Sequence, residues 1–243
     1  MIIPTLNTIS INGEELAGIY VDSSFSFNKP EKDVSTFAVP GRNGDLIIDY
    51  GTFRNIRITY PCFVKGAYQG VGFLPIYDSI VQKLATLSGY QRIEEARDPD
   101  HFRLGAVVYP KAPNPGQFLR DGSFDLAFDC KPQRYLKTGE RKITVTADGK
   151  LRNPTNYTAL PLIRVHGNGK VTVGDVEITV TGNLNNWVDI DCEMMDCYRQ
   201  SINYNSYISF TGNDFPVLKP GDNQVDLGLG ISKVEITPRW WEL

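Results

Sequence analysis

Apolar and polar residues alternate along much of this chain, and this period of two is the feature that most constrains its fold. Successive side chains of a β-strand point to opposite faces, so the pattern predicts strands with one buried face and one polar face. Asn12-Gly13 predicts a tight turn after the first alternation. We therefore expect a mainly β protein. The clearest alternations have their apolar residues at Ile9 and Ile11; Ile19 and Val21; Ile56, Ile58 and Tyr60; Leu126, Phe128 and Cys130; Val188, Ile190, Cys192 and Met194; and Val234, Ile236, Pro238 and Trp240.

One segment follows a helical period instead. Its apolar residues recur at spacings of three and four, which places them on one stripe of an amphipathic α-helix. Pro75 suits the first turn of such a helix, and Gly89 suits the position just after its end. The pattern predicts a helix over about residues 75–88. The stripe consists of Tyr77, Ile80, Val81, Leu84 and Leu87.

The chain divides near residue 137. Residues 130–142 are polar and contain Pro132 and Gly139, and new β signals follow them. A length of 243 residues is enough for two domains of ordinary size. We expect two β-sandwich domains, residues 1–136 with the helix and residues 137–243, with hairpin turns at residues 167–170 and 182–186 in the second.

Charge and motif content exclude several classes of protein. The 25 Lys and Arg residues nearly balance the 28 Asp and Glu residues, leaving a net charge of −3, so a basic nucleic-acid binder is disfavoured. No nucleophile elbow, zinc-protease motif or phosphate-binding loop occurs, and only two histidines are present. We expect no enzymatic activity, no cofactor and no metal. The N-terminus resembles no signal peptide and no apolar stretch could span a membrane, so we expect a protein made in the cytoplasm with reduced thiols.

Three alternatives remain open. Cys192 and Cys197 lie five positions apart, which places them on opposite faces of a continuous strand, so they could converge on a metal site only if the chain bends near Met195. A row of carboxylates could serve a calcium ion or simply line a solvated strand face. A hydrolase with an unrecognised site is the third. The carboxylate row is Asp189, Asp191, Glu193 and Asp196.

Aromatic residues raise one further alternative, a carbohydrate-binding module. Trp187, or the tyrosines between Tyr198 and Tyr207, could stack on sugar rings if they lie exposed on one face. Trp240 is in phase with Val234 and Ile236, which favours the core. Trp241 would then point the opposite way, towards a second sheet, a neighbouring domain or a partner chain.

Four stretches together resemble the distal tail proteins (Dit) of siphophages. The first is VPGRNGDLIIDYGTFRNIRITYPCFV, where a PGRNG-type turn precedes a hairpin-like pair of strands. The resemblance covers essentially the whole chain, and it rests on the order and spacing of the four stretches. The other three are GYQRIEEARDPDHFRLG after the helix, FDCKPQRYLKTGE at the domain junction, and FPVLKPGDNQV with GISKVEITPRWWEL near the end.

This resemblance implies a structural virion protein at the tail tip. The first domain would assemble into a hexameric ring, and the second would be a galectin-like or jelly-roll-like sandwich outside it. The ring would join the tail tube protein to the tail-associated lysin, baseplate or receptor-binding proteins of the tip. The chain resembles the short form of the family, which lacks an inserted carbohydrate-binding module. Six copies would carry six times −3, or −18, so DNA would pass through the ring without being held.

The PGRNG turn holds the candidate site residues Pro40, Gly41, Arg42 and Gly44. Proline fixes its own φ, and glycine permits the positive φ that turns require. Arg42 could donate several hydrogen bonds to carbonyls or carboxylates of a neighbouring subunit. The other possibility is a solvent-exposed turn that only closes a hairpin.

Overall fold

The computed structural model describes residues 7–22, 29–64, 73–108, 122–182 and 186–243. The chain divides into two compact units. Unit 1 comprises Met1–Arg134 with Leu243, and unit 2 comprises Tyr135–Glu242. The division falls two residues before the boundary that the sequence predicts at 136/137.

Unit 1 is built around one large curled sheet. The elements are β1 (Ile9–Ile11), β2 (Glu14–Glu15), β3 (Ile19–Val21), β4 (Lys32–Phe37), β5 (Leu46–Phe53), β6 (Ile56–Val64), α1 (Phe73–Ala85), β7 (Tyr90–Glu95), β8 (His101–Val108) and β9 (Ser123–Leu136). The strands of the large sheet are connected in the order β2-β1-β7-β8-β9-β6-β3, while β4 and β5 pair in a separate two-stranded sheet. Val21 N–H donates a hydrogen bond of 2.9 Å to the Asn7 carbonyl, so β3, at one end of the sheet, meets the residues that precede β1 near the other end.

The core of unit 1 lies inside this sheet, and α1 packs against it. The predicted alternation is confirmed in β6, where Ile56, Ile58, Tyr60 and Cys62 are buried. Asn12 and Gly13 have φ values of 53° and 82°, as the predicted turn between β1 and β2 requires.

The predicted helix is confirmed, with different ends. Ile80 and Leu84 are buried in the core, and Tyr77 meets Phe124 edge to face at 5.1 Å. The helix begins at Phe73 and ends at Ala85, rather than spanning 75–88. The sequence predicts Gly89 as the residue just after the helix end. Because the helix ends at Ala85, Gly89 does not cap it and lies in the turn before β7. The helix ends early because Thr86 and Leu87 N–H donate to the carbonyls three residues back, which tightens the last turn.

Unit 2 is a two-layered β-sandwich. The elements are β10 (Ile143–Val145), β11 (Gly149–Asn153), β12 (Leu162–Gly167), β13 (Gly169–Val173), β14 (Val176–Val180), β15 (Trp187–Asp191), β16 (Asp196–Arg199), β17 (Ile202–Asn203), β18 (Ile208–Phe210), β19 (Gly221–Leu227), β20 (Ile231–Thr237) and β21 (Trp241–Glu242), with 3-10 turns at Lys137–Glu140, Asn205–Tyr207 and Thr211–Asn213. One sheet has the strand order β10-β20-β12-β15-β16-β17, and the other has the order β11-β19-β13-β14-β18.

Alternating residues of both sheets form the core of unit 2. Ile163, Ile190 and Ile236 are paired across adjacent strands and fully buried. Val171 and Ile178 line the facing sheet. The predicted class, mainly β with one helix in the first domain, is confirmed over the described residues.

Three local predictions are wrong. The strand from Val188 ends at Asp191, and Met194 lies exposed in the turn that follows. The glycine-rich segment at 167–170 is not a hairpin turn, because β12 and β13 lie in different sheets. Most of the turn predicted at 182–186 lies outside the described residues, and the strands on either side of it, β14 and β15, belong to different sheets. The PGRNG turn does not precede a hairpin of β5 with β6: it joins β4 to β5, and β5 pairs with β4.

Candidate assembly surface

Strands β4 and β5 form a hairpin that is largely exposed, with residues 33–35 and Phe53 half-buried. We call residues 32–53 the arm. Phe37 is paired with Leu46, Thr36 with Ile47, Ser35 with Ile48 and Val34 with Asp49. The residues of β5 are exposed from Leu46 to Thr52, so the arm lies outside the core of its unit. An isolated two-stranded hairpin is at best marginally stable in water. The arm is therefore a surface suited to contact with another protein.

The register gives the arm two different faces. Directly paired residues of an antiparallel sheet share a face, and residues two apart on a strand share it as well. One face carries Phe37, Leu46, Ile48 and Tyr50 around Ser35, and we call it the apolar arm face. The Tyr50 hydroxyl donates to Ser35 Oγ at 3.1 Å, which confirms their common side. The opposite face carries Val34, Thr36, Ile47 and Asp49.

Ion pairs at the base of the arm join its two strands. Lys32 Nζ lies 2.8 Å from Asp49 Oδ2, and Arg54 donates two hydrogen bonds to Asp33 Oδ1, at 3.0 and 2.8 Å. Hydrogen bonds from Lys32 and from Gly51 N–H hold the pKa of Asp49 below its usual value. These groups are exposed, so their contribution is to orientation more than to stability.

All four candidate residues of the PGRNG motif lie in the exposed turn at the tip of the arm. Gly41 and Gly44 have φ values of 81° and 82°, and a Cβ on either would meet no atom within 4 Å. Glycine is therefore required by the backbone conformation and not by space. Arg42 N–H donates to the Val39 carbonyl at 3.1 Å, and the Arg42 side chain is exposed. The motif thus shapes the tip and presents one guanidinium there.

Trp241, the candidate partner-facing aromatic residue, is half-buried and engaged within unit 2. Its ring stacks on Tyr157 with centroids 4.4 Å apart, and its Nε1–H donates to the Thr158 carbonyl. Trp240 is 4% exposed, as its phase with Ile236 predicts. The stack covers part of the Trp241 ring that a partner would have contacted.

The aromatic residues suggested for sugar binding are largely occupied. The Arg164 guanidinium lies 3.8 Å from the centre of the Trp187 ring and covers one face of it. Tyr204 is buried, and the exposed Tyr207 lies against it, with ring centroids 5.5 Å apart. A sugar would have to displace Arg164 to use that face of Trp187.

Two of the four carboxylates in the row, Asp189 and Asp191, do not line a solvated face, whereas Glu193 is exposed and Asp196 is half-buried. Asp189 and Asp191 are buried, each held by two hydrogen bonds from an arginine, Arg164 and Arg239 respectively. Hydrogen bonding by Arg239 keeps the pKa of Asp191 below its usual value despite the opposing effect of burial. The two carboxylates therefore stabilise unit 2.

The chain does bend at Met195, whose φ is 52°, and Cys192 and Cys197 both enter the core of unit 2. Burial raises the pKa of Cys197 to about 12, and burial also raises the pKa of Cys192. Within the described residues, no group of three or more His, Cys, Asp or Glu side chains could hold a metal ion. No helix in the same part of the chain is long and apolar enough to cross a membrane.

The sequence pattern points to the tip of the arm and does not reveal its apolar face. Leu46, Ile47 and Ile48 are consecutive, so no alternation shows which of them share a side. Only the pairing of β4 with β5 separates Ile48 from Ile47.

Sequence comparisons find no matching family model and no matching curated protein. Comparison of structures does find relatives. The crystal structure of the phage SPP1 Dit (gp 19.1) protein, described as a paradigm of the hub adsorption apparatus in phages that infect Gram-positive bacteria, has a TM-score of 0.67 and 13% identity, covering 95% of this chain and 98% of that one. A chain of the phage P2 baseplate in its activated conformation with calcium has a TM-score of 0.50 and 9% identity, covering 95% and 97%.

Identities this low establish the fold and no more. The coverage shows that the likeness extends over both units, and the resemblance to distal tail proteins predicted from the sequence is confirmed at the level of the fold. Over nearly its whole length, this chain has the fold of the SPP1 Dit hub protein.

Proposed function

We propose that this chain is the distal tail hub subunit of a long-tailed, non-contractile phage or prophage. Six copies form a ring that joins the tail tube to the tail tip or baseplate. The observation that carries this proposal is the match to the SPP1 Dit protein over 95% of this chain and 98% of that one. Unit 1 forms the ring, and unit 2 is a galectin-like sandwich carried outside it.

The protein acts by assembly and not by catalysis. Its partners are other copies of itself, the tail tube protein, the tail-associated lysin, and baseplate or receptor-binding proteins. DNA meets the ring only in passage during ejection, and the protein resides at the tail tip of the virion. The arm supports this role, because an exposed hairpin with an apolar face is suited to contacts between subunits.

The mass of the purified chain in solution tests the ring. We expect light scattering to give a mass near six times 27.2 kDa, and negative-stain microscopy to show rings. A chain that remains monomeric at its highest soluble concentration contradicts the proposal. Zymography on host cell walls tests the absence of catalysis, and a cleared zone would contradict it.

A further inference from the structure

We propose that the apolar arm face (Phe37, Leu46, Ile48 and Tyr50) is the surface through which one copy of this chain holds the next. This inference rests on the proposed function, which supplies the neighbouring copies, and it assigns the contact to one side of one hairpin. The opposite side of the arm, with Thr36 and Ile47, is left outside the contact.

Exposure is the first argument. The side chains of Phe37, Leu46, Ile48 and Tyr50 are 52%, 43%, 40% and 55% exposed, in that order. Phe37 is paired with Leu46 across the two strands, and Ile48 and Tyr50 follow Leu46 on the same face of β5. Single exposed apolar residues are common on soluble proteins, but a contiguous group of large ones marks an interaction site. Tyrosine and phenylalanine are also enriched at the centres of protein interfaces.

Charge favours a second copy of the chain as the occupant. The arm, residues 32–53, carries two basic residues (Lys32 and Arg42) and three acidic ones (Asp33, Asp45 and Asp49). The arm thus has no excess of cations to attract DNA or an anionic membrane. A second copy has a net charge of only −3, so its approach meets little repulsion.

The length of the arm and the difference between its two sides support the same assignment. Strand β5 has eight residues and extends about 26 Å, enough to lie along the surface of a neighbouring domain. On the opposite side of the arm, Asp49 is paired with Lys32, and burying that pair would remove both charges from water. The four side chains of the apolar arm face carry no charge, so their own burial has no such cost.

A closed ring determines what the face contacts. Subunits related by a six-fold axis use two different surfaces at each interface, so the arm face packs on a part of the neighbour other than its own arm. Two arms packed face to face would instead give a two-fold dimer that ends assembly.

Ile47 and Ile48 provide a matched test. Each is replaced by Asp, so both variants gain the same charge at adjacent positions, and Ile47 is the more exposed of the two, at 65% against 40%. We expect the concentration needed for assembly to rise by about tenfold or more for Ile48→Asp and to stay near the wild-type value for Ile47→Asp. Both positions lie outside the two cores, so both variants should unfold at the wild-type midpoint.

Thiol labelling reports on the two faces without disturbing charge. All four native cysteines are buried, so a cysteine introduced on the arm is the accessible thiol. Ser35→Cys lies on the apolar arm face and Thr36→Cys on the opposite one. On assembly, the maleimide reaction should slow at position 35 and remain fast at position 36.

The outcomes separate this inference from the proposed function. If the wild-type chain assembles and Ile48→Asp assembles equally well, the arm-face contact is wrong while the ring stands. If Ile47→Asp blocks assembly as strongly as Ile48→Asp, or position 36 is protected as strongly as position 35, the assignment to one face is wrong. A two-fold dimer as the end state overturns the contact between different surfaces. A wild-type chain that never assembles contradicts the proposed function itself.

Discussion

Arg239 and Asp191, 48 residues apart in the chain, form a two-point ion pair in unit 2, with Nη1–Oδ1 at 2.7 Å and Nη2–Oδ2 at 2.9 Å. Asp191 Oδ1 also accepts hydrogen bonds from Glu193 N–H and Met194 N–H, at the start of the turn that leads to β16. One buried carboxylate thus joins the end of β15 to the C-terminal segment after β20.

Removal of Arg239 should therefore destabilise unit 2. Arg239→Met leaves the Asp191 carboxylate, 3% exposed, without its main counter-charge, and we expect a loss of about 3 kcal/mol in the free energy of unfolding. Urea titration followed by circular dichroism measures it. The control is Lys170→Ala, which breaks an exposed pair with Glu177 and should cost less than about 1 kcal/mol. Equal losses in the free energy of unfolding for the two variants would show that the burial of Asp191 does not make its ion pair more important to stability.

Unit 2 should lose stability in acid through Glu235. Hydrogen bonds from Lys233 and Lys142 lower the pKa of Glu235 from 4.5 to about 2. A carboxylate with a lowered pKa contributes its full stabilisation above the unfolded-state value and loses it as the pH falls through the folded-state value. We expect the free energy of unfolding to fall between pH 4.5 and about 2, and Glu235→Gln to flatten that decline. An unchanged profile in Glu235→Gln would contradict this role.

Gly18 should tolerate a side chain less well than Gly13. Both have positive φ, 87° and 82°, but a Cβ on Gly18 would lie 2.8 Å from Ile76 Cγ2 of α1, whereas one on Gly13 would meet nothing within 4 Å. Gly13→Ala therefore carries backbone strain alone, about 1 kcal/mol, and Gly18→Ala carries strain and overpacking, about 2 kcal/mol. Chemical denaturation of the two variants measures the difference. Equal losses would mean that Ile76 moves aside freely.

The native thiols should be unreactive. Burial raises the pKa of Cys62 and Cys130 to about 12, and all four cysteines are 3% exposed or less. The thiolate is the reactive form, so an aromatic disulfide reagent at mildly alkaline pH should label none of them in the folded chain and all four in urea. Rapid reaction of any thiol before unfolding would show that one of the cores opens readily.

Arg42 should contribute to assembly but not to folding. Its guanidinium is exposed at the tip of the arm, and in the proposed ring it donates hydrogen bonds to carbonyls or carboxylates of the neighbour. We expect Arg42→Ala to weaken assembly with no change in the unfolding midpoint. Arg152→Ala removes the same charge from an exposed site in unit 2 and should assemble as the wild type does. If Arg42→Ala forms normal rings, the PGRNG motif only closes the hairpin and Arg42 makes no contact that assembly requires.

Much of the fold could be predicted because its cause is local. The alternation in β6, the Asn12-Gly13 turn, the stripe of α1 and the burial of Trp240 each follow from side-chain periodicity or from the φ that one residue prefers. The predictions that went wrong depended on where the chain turns. Met194 continues an alternation in sequence, but Asp191 accepts two backbone hydrogen bonds that end the strand before it.

The sequence by itself determined a mainly β chain with one helix, since period and turn chemistry are properties of neighbouring residues. It also supplied the four stretches whose order pointed to the distal tail fold. Tertiary structure alone decided which carboxylates are held by Arg164 and Arg239, and which of Ile47 and Ile48 lies on the apolar arm face. These relationships join residues that are distant in the chain. Their register is set by the packing of whole sheets, and a shift of one residue would reverse every face.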